Sequence, residues 1–116
     1  MSNNPITDTH HADTTVVARL TGSLTVVNAP DLRGGLLALI KQHSPTVLAL
    51  NLDAVDFVDS SALGVFVEAR RQMVAENGSV AFTNVNKEVR GLMRIMNLDA
   101  VFSFAESEDD LLAGAE

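Results

Sequence analysis

An α/β domain built on a mostly parallel, mixed β-sheet is the fold class this sequence predicts. About four to five strands and about four helices follow the order (β)β-α-β-α-β-α-β-α. Three observations predict it. Apolar, β-branched runs alternate with segments of helical periodicity along the chain, and that alternation implies crossover helices between parallel strands. The run from Thr46 to Leu52 is almost wholly apolar and too short for a typical helix, so it suits a strand buried on both faces. Residues that start helices precede the periodic segments: Asn28 with Pro30, Asp59 with Ser60, and Asn86.

Taken in order, residues 1–12 form a polar lead-in, with room for a short edge strand near Ile6 to His11, and 13–116 form the domain proper. Thr14 to Thr21 is rich in β-branched residues and predicts a strand that Gly22 ends. Asn28 opens a helix as its N-cap, with Ala29, Leu32, Leu36, Leu39 and Ile40 on helical spacing, and Ser44-Pro45 ends it. Gly34-Gly35 weakens that helix by about 1 kcal/mol per glycine, which a close approach of helix and sheet would explain. After the buried strand, Asp53 to Asp59 is expected to be a connection. A second helix runs from about Ser60 to Glu76, with Leu63, Phe66, Val67 and Val74 apolar and Glu68, Arg71 and Gln72 wet. Asn77-Gly78 stops it.

Val80 to Asn84 predicts another strand. Asn86 caps a third helix with Val89, Leu92, Met93 and Met96 on one face, closed by Asn97. Val101 to Phe104 predicts a last short strand, and Glu106 to Ala115 a helix with an acidic start.

Composition narrows the function. With 47% hydrophobic and 20% charged residues, the chain has material for a core, which excludes a disordered chain. The net charge is -7, and neither nucleic acid nor anionic membrane rewards such a surface. The chain has no cysteine, which removes disulfides and thiol chemistry. No apolar run approaches a membrane span and no secretory pattern opens the chain, so a cytoplasmic protein is expected.

The stretch richest in chemistry is Asp53 to Val67, where a buried strand leads through a turn into a helix. Functional groups gather at the carboxyl ends of strands in open α/β sheets, and Asp59, Ser60 and Ser61 are placed there. A helix start carries free N–H groups and partial positive charge, so it tolerates an anion such as phosphoserine. Local chemistry alone favours an ordinary N-cap over a phosphosite. The two are compatible, since Asp59 or Ser61 can cap while Ser60 faces water.

The stretch resembles the signature of STAS-domain anti-sigma-factor antagonists. Their pattern is an apolar strand, Asn-Leu, a short acidic connection, Asp-Ser-Ser/Thr-Gly-Leu-Gly and an apolar helix. Here stand Val47 to Leu50, Asn51-Leu52 and Asp59-Ser60-Ser61-Ala62-Leu63-Gly64. Leu20-Thr21-Gly22-Ser23-Leu24 is similar to the family's Leu-Thr-Gly-Glu-Leu, and the element order agrees over nearly the whole chain. The resemblance implies a single STAS domain and no enzyme. It implies a partner switch. The unphosphorylated protein binds an anti-sigma factor that is also a serine kinase, freeing a sigma factor, and phosphorylation at Ser60 switches it off until a phosphatase resets it. Asp59, Ser60, Ser61, Ala62, Leu63, Ser23 and Thr25 are the implied partner-binding residues. Ala62 stands where the family usually has Gly, and Ser23 and Thr25 where it often has Glu and Asp, which bears on the choice of partner. No cofactor or metal is implied, and the oligomeric state stays open.

Two rival readings use the same residues. One is a binding subunit of the same fold, without phosphorylation, in a transport or sensory complex. The other is a small α/β hydrolase using Asp59 and Ser60, for which no histidine lies mid-chain to act as base. Neither a Gly-x-Ser-x-Gly elbow nor a phosphate-loop or dinucleotide fingerprint is present. The His10-His11 pair has no third ligand nearby in sequence. Asp53, Asp56 and Asp59 lack the calcium-loop spacing and its closing Glu.

Overall fold

Residues 4–114 are described by a computed structural model. The elements are β1 (Ile6–Ala12), β2 (Thr15–Leu24), α1 (Ala29–His43), β3 (Val47–Val58), α2 (Ser60–Ala75), β4 (Ser79–Thr83), α3 (Lys87–Ile95), β5 (Ser103–Ala105) and α4 (Glu108–Gly114). The sheet order is β1-β2-β3-β4-β5. The β1–β2 pair is antiparallel and the others are parallel, so the mixed sheet and the element order are as the sequence predicts. The early edge strand exists, turned into β2 through Asp13 at φ 57°.

The core lies between the sheet and the helices. Leu48, Leu50, Leu32, Leu36 and Phe66 are fully buried. Phe82 is the centre of an aromatic cluster: the Phe66 and Phe102 rings meet it edge-on at 5.1 and 4.9 Å, and Phe104 stacks on it at 5.6 Å. Ala49 on β3 is as inaccessible as its neighbours Leu48 and Leu50, as a strand covered on both faces requires.

Two strands run longer than predicted. Gly22 does not end β2; it adopts φ 84° within the strand, which continues to Leu24. The stretch after Leu52 is not a connection but the far half of β3, to Val58. Pairing explains both. β4 leaves β3 at the Asn51–Thr83 pair, while β2 and β3 continue together as a two-stranded ribbon to Leu24–Val58. The register shifts twice along the ribbon, β3 carrying the extra residue each time. Each bulge delays the return to the buried face by one residue, so Leu52, Val55 and Val58 are buried at a spacing of three. The other face is open, and Asp53 and Asp56 lie there exposed.

The helices hold smaller corrections. Asn28 precedes α1 but its side chain caps nothing there; it serves the preceding loop instead. Val74 is 49% exposed and Met73 takes the core position, because Phe66, Ala69 and Met73 continue one face at helical spacing. Gly35 does lie at a close approach, since a Cβ there would stand 2.6 Å from Ile6 Cδ1, whereas Gly34 faces open space. Asn86 caps α3 by accepting the Val89 N–H at 2.8 Å. Met93 is buried, but Met96 at the end of α3 is 48% exposed. The last strand falls at Ser103–Ala105, leaving Val101 in an exposed turn, and the last helix spans Glu108–Gly114; Ala115 lies outside the described residues.

Candidate functional site

The β2–β3 ribbon positions the site. Its last pair, Leu24 and Val58, brings the ends of both strands side by side, and the Asp59 N–H donates to the Leu24 carbonyl at 3.0 Å. Asp59 is extended (φ -103°, ψ -179°) and is the N-cap of α2. Its Oδ1 accepts the N–H groups of Ser61 and Ala62 at 2.8 and 3.1 Å. Its Oδ2 accepts the Val26 N–H at 3.0 Å. One carboxylate thus starts the helix and anchors the loop between β2 and α1.

That loop is held by its own side chains. Asn28 Oδ1 accepts the Thr25 N–H at 2.9 Å, and Asn28 Nδ2 donates to the Ser23 carbonyl at 2.9 Å. Thr25 Oγ1 accepts the Val27 N–H at 3.2 Å, and the Thr25 carbonyl accepts from Asn28 and Ala29. Ser23 Oγ donates to Asp56 Oδ1 at 2.8 Å across the ribbon. Asn28, chosen by sequence as a cap, therefore organises the turn before the helix.

Ser60 is the first residue of α2 and is exposed. Its hydroxyl makes no hydrogen bond to the protein among the described residues, while Asp59, which caps the helix, is committed to three N–H groups. Ser61 is half-buried; Ala62 and Leu63 are 0% and 2% exposed and turn inward. The structure thus brings Ser23, Thr25, Asp59, Ser60 and Ser61 to one end of the sheet, with Ala62 and Leu63 beneath them.

Sequence reasoning missed the apolar surround. Val26, Val27 and Phe57 are 67%, 73% and 53% exposed. Val26 is bonded to Asp59, and Phe57 pairs with Ser23 in the ribbon, so the three flank the serine. Exposed apolar residues concentrated in one place mark interaction surfaces. The signal was the Val-Val pair in a turn, where polar residues are usual. A groove of about 380 Å³ also opens beside Ser60, with Val67 and Arg71 of α2 on one side and Met96 and Leu98 on the other. Along its edge, Arg33 of α1 grips Glu68 of α2 at 2.6–2.9 Å. The hydrogen bond from Arg33 holds the Glu68 carboxyl below the usual glutamate value, with the Arg33 and Arg71 charges adding to it.

A second polar cluster lies on the opposite side of the molecule. Arg19 donates to Glu108 through Nε and Nη2 at 2.9 and 2.8 Å and pairs with Asp8 at 2.6 Å. Asn51 donates to the same Glu108. It ties α4 to the strands and has no bearing on Ser60.

The sheet order and the capped helix start are those of a known domain class, and the sequence model of the STAS domain matches residues 6–111. The chain belongs to the STAS domain family. It is 29% identical over 102 residues to the anti-sigma-B factor antagonist of Bacillus subtilis (strain 168), covering 87% of this chain and 92% of the relative. The crystal structure of a putative anti-sigma factor antagonist from Thermotoga maritima superposes with a TM-score of 0.84 at 21% identity, over 92% of each chain. The Bacillus cell fate determinant SpoIIAA in its phosphorylated form superposes with a TM-score of 0.73 at 23% identity, over 94% of this chain and 98% of that one. No described helix is long and apolar enough to cross a membrane.

Proposed function

We propose that this protein is an anti-sigma-factor antagonist, a regulatory binding protein rather than an enzyme, switched by phosphorylation of Ser60. The observation that carries the reading is the placement of Ser60: an exposed, unbonded hydroxyl at the start of α2, beside the Asp59 cap and among Val26, Val27 and Phe57. The relatives named for antagonism of anti-sigma factors support the choice of partner.

In the unphosphorylated state the apolar collar and Ser60 face an anti-sigma factor that is also a serine kinase. Binding frees the sigma factor in the cytoplasm. In the kinase step Ser60 Oγ attacks the γ-phosphorus of ATP, the bond to ADP breaks, and the hydroxyl proton leaves. Asp59 positions the serine, its two oxygens holding three N–H groups of the surrounding backbone; the base belongs to the kinase. The phosphate adds about -1.5 to -2 charges. The dipole of α2 favours an anion at that end. The Ser61 and Ala62 N–H groups are already taken by Asp59, so the phosphate stays in water rather than drawing the helix start around it. The fold therefore tolerates it. A partner pressed onto the collar meets a new charge beside Asp59 and Asp56, which is costly to desolvate. A phosphatase resets the switch.

The hydrolase alternative finds no support in the geometry, since no base lies within hydrogen-bond distance of Ser60 Oγ among the described residues. Phosphate mapping by mass spectrometry on protein from its native cell tests the proposal. Phosphate on Ser60 is expected; a protein modified only elsewhere, or never, contradicts it and favours a non-phosphorylated binding subunit.

A further inference from the structure

β1 and α1 lie against each other on the core side of the sheet, and two contacts fix their spacing. In the antiparallel register Ile6 stands opposite Leu20, Thr9 opposite Ala18 and His11 opposite Val16. Leu20, Ala18 and Val16 belong to the core, and directly paired residues share a face, so Ile6, Thr9 and His11 face α1. Gly35 of α1 seats against Ile6, where a Cβ would stand 2.6 Å from Ile6 Cδ1. About two turns further on, in the last turn of α1, His43 meets His11: the ring centroids are 4.5 Å apart at an interplanar angle of 65°. Both residues are exposed. His10 points to the other face of β1, where it acts on the Glu108 carboxyl. The sequence pairs His11 with His10, and the fold pairs it with His43 instead.

We propose that His11 and His43 form a chelating site for a late first-row transition-metal dication, Cu²⁺ or Ni²⁺, held between the edge strand and the end of α1. Imidazole suits such ions, and the spacing selects the geometry. With a metal–nitrogen bond of about 2.0 Å, the ion stands about 3.2 Å from each ring centroid. Two rings at a right angle on such an ion have centroids about 4.5 Å apart, and two at the tetrahedral angle about 5.2 Å. The observed 4.5 Å is the right-angled spacing, which Cu²⁺ and Ni²⁺ adopt and tetrahedral protein-bound Zn²⁺ does not. Turning each ring about its Cβ–Cγ bond re-aims its nitrogens while leaving its centroid nearly in place. Position favours a cation as well. His43 is at the negative end of the α1 dipole, on a chain of net charge -7. Lys41, the other basic residue of that turn, is about 200° round the helix and faces the groove between α1 and α2. No third histidine, cysteine or carboxylate completes a cluster with the pair among the described residues, so water fills the other positions and the ion exchanges with solvent. α1 begins beside the Ser60 loop and ends at His43, about 21 Å away along its axis, so the site is separate from the switch.

The test is isothermal titration of Ni²⁺ into the untagged full chain in a non-chelating buffer. A single ion should bind each chain. His11→Ala and His43→Ala should each weaken binding about tenfold or more, and both residues are exposed, so neither variant endangers the fold. His10→Ala, on the opposite face of β1, is the control and should bind as wild type does. At about ten times its dissociation constant, Ni²⁺ should raise the Tm of wild type by about 5 °C and that of either single variant by less than about 2 °C. Ni²⁺ that binds wild type and both variants alike, that is lost in His10→Ala instead, or that does not bind wild type overturns the site.

Discussion

Asp59 holds Val26: Oδ2 accepts the Val26 N–H at 3.0 Å while Oδ1 caps α2 through Ser61 and Ala62. The residue beside the proposed phosphosite is thus the hinge pin between the helix that carries Ser60 and the loop that carries Val26 and Val27. Asp59→Ala should destabilise the protein by about 1–2 kcal/mol, the usual loss for a cap, in urea denaturation. It should also speed hydrogen exchange at the Val26 amide. Asp59→Asn keeps one acceptor oxygen and should lose about half as much. An unchanged urea midpoint in Asp59→Ala would contradict the structural role.

The collar separates binding from folding. Phe57 and Val27 are more than half exposed, so Phe57→Ser and Val27→Ser should change stability by no more than about 0.5 kcal/mol. Each should weaken the anti-sigma factor complex about tenfold or more, as exposed apolar anchors do. Paired denaturation and titration measurements check this. A loss of binding that tracked a loss of stability would place these residues in the fold rather than at the interface.

The legible part of this molecule was whatever local pattern determines. The Val47 to Leu50 run announced a buried strand, and Asp59-Ser60-Ser61 announced a helix start; both are where local chemistry puts them. Asp53 to Val58 was misread because its acids look like a loop. Only the pairing with β2, with its two bulges, shows a strand that buries Leu52, Val55 and Val58 and wets the acids. Asn28 was chosen as a cap because Asn caps helices well, yet the turn from Ser23 to Thr25 claims its amide. The collar was hidden for a related reason: Val26 becomes a neighbour of Ser60 only through the parallel register of β2 and β3, and Phe57, though near Ser60 in sequence, is exposed because it lies on the outer face of that ribbon.

Acid should loosen the far side of the sheet. Hydrogen bonds from Arg19, then from Asn51, together with the guanidinium charge, pull the Glu108 carboxyl down to about 2 from the usual 4.5. A carboxyl whose folded-state value is depressed contributes stability above its unfolded value. That contribution is therefore whole above about pH 4.5 and is lost as the pH falls towards about 2. Glu108 is 15% exposed but Arg19 is 38% exposed, so water screens the pair and about 1–2 kcal/mol is the expected net effect. Glu108→Gln should lose that amount at pH 7 and show a flatter decline between pH 4.5 and 2. Urea melts across the pH range check it; parallel curves for the two proteins would contradict the assignment.

The switch at Ser60 is tested most directly by titrating wild type, Ser60→Ala and Ser60→Asp against the cognate anti-sigma factor kinase with ATP present. Wild type should bind and then be lost from the complex as phosphate accumulates. Ser60→Ala should remain bound, and Ser60→Asp should bind at least tenfold more weakly from the start, about 1.4 kcal/mol. Equal and lasting binding by all three proteins would contradict the account.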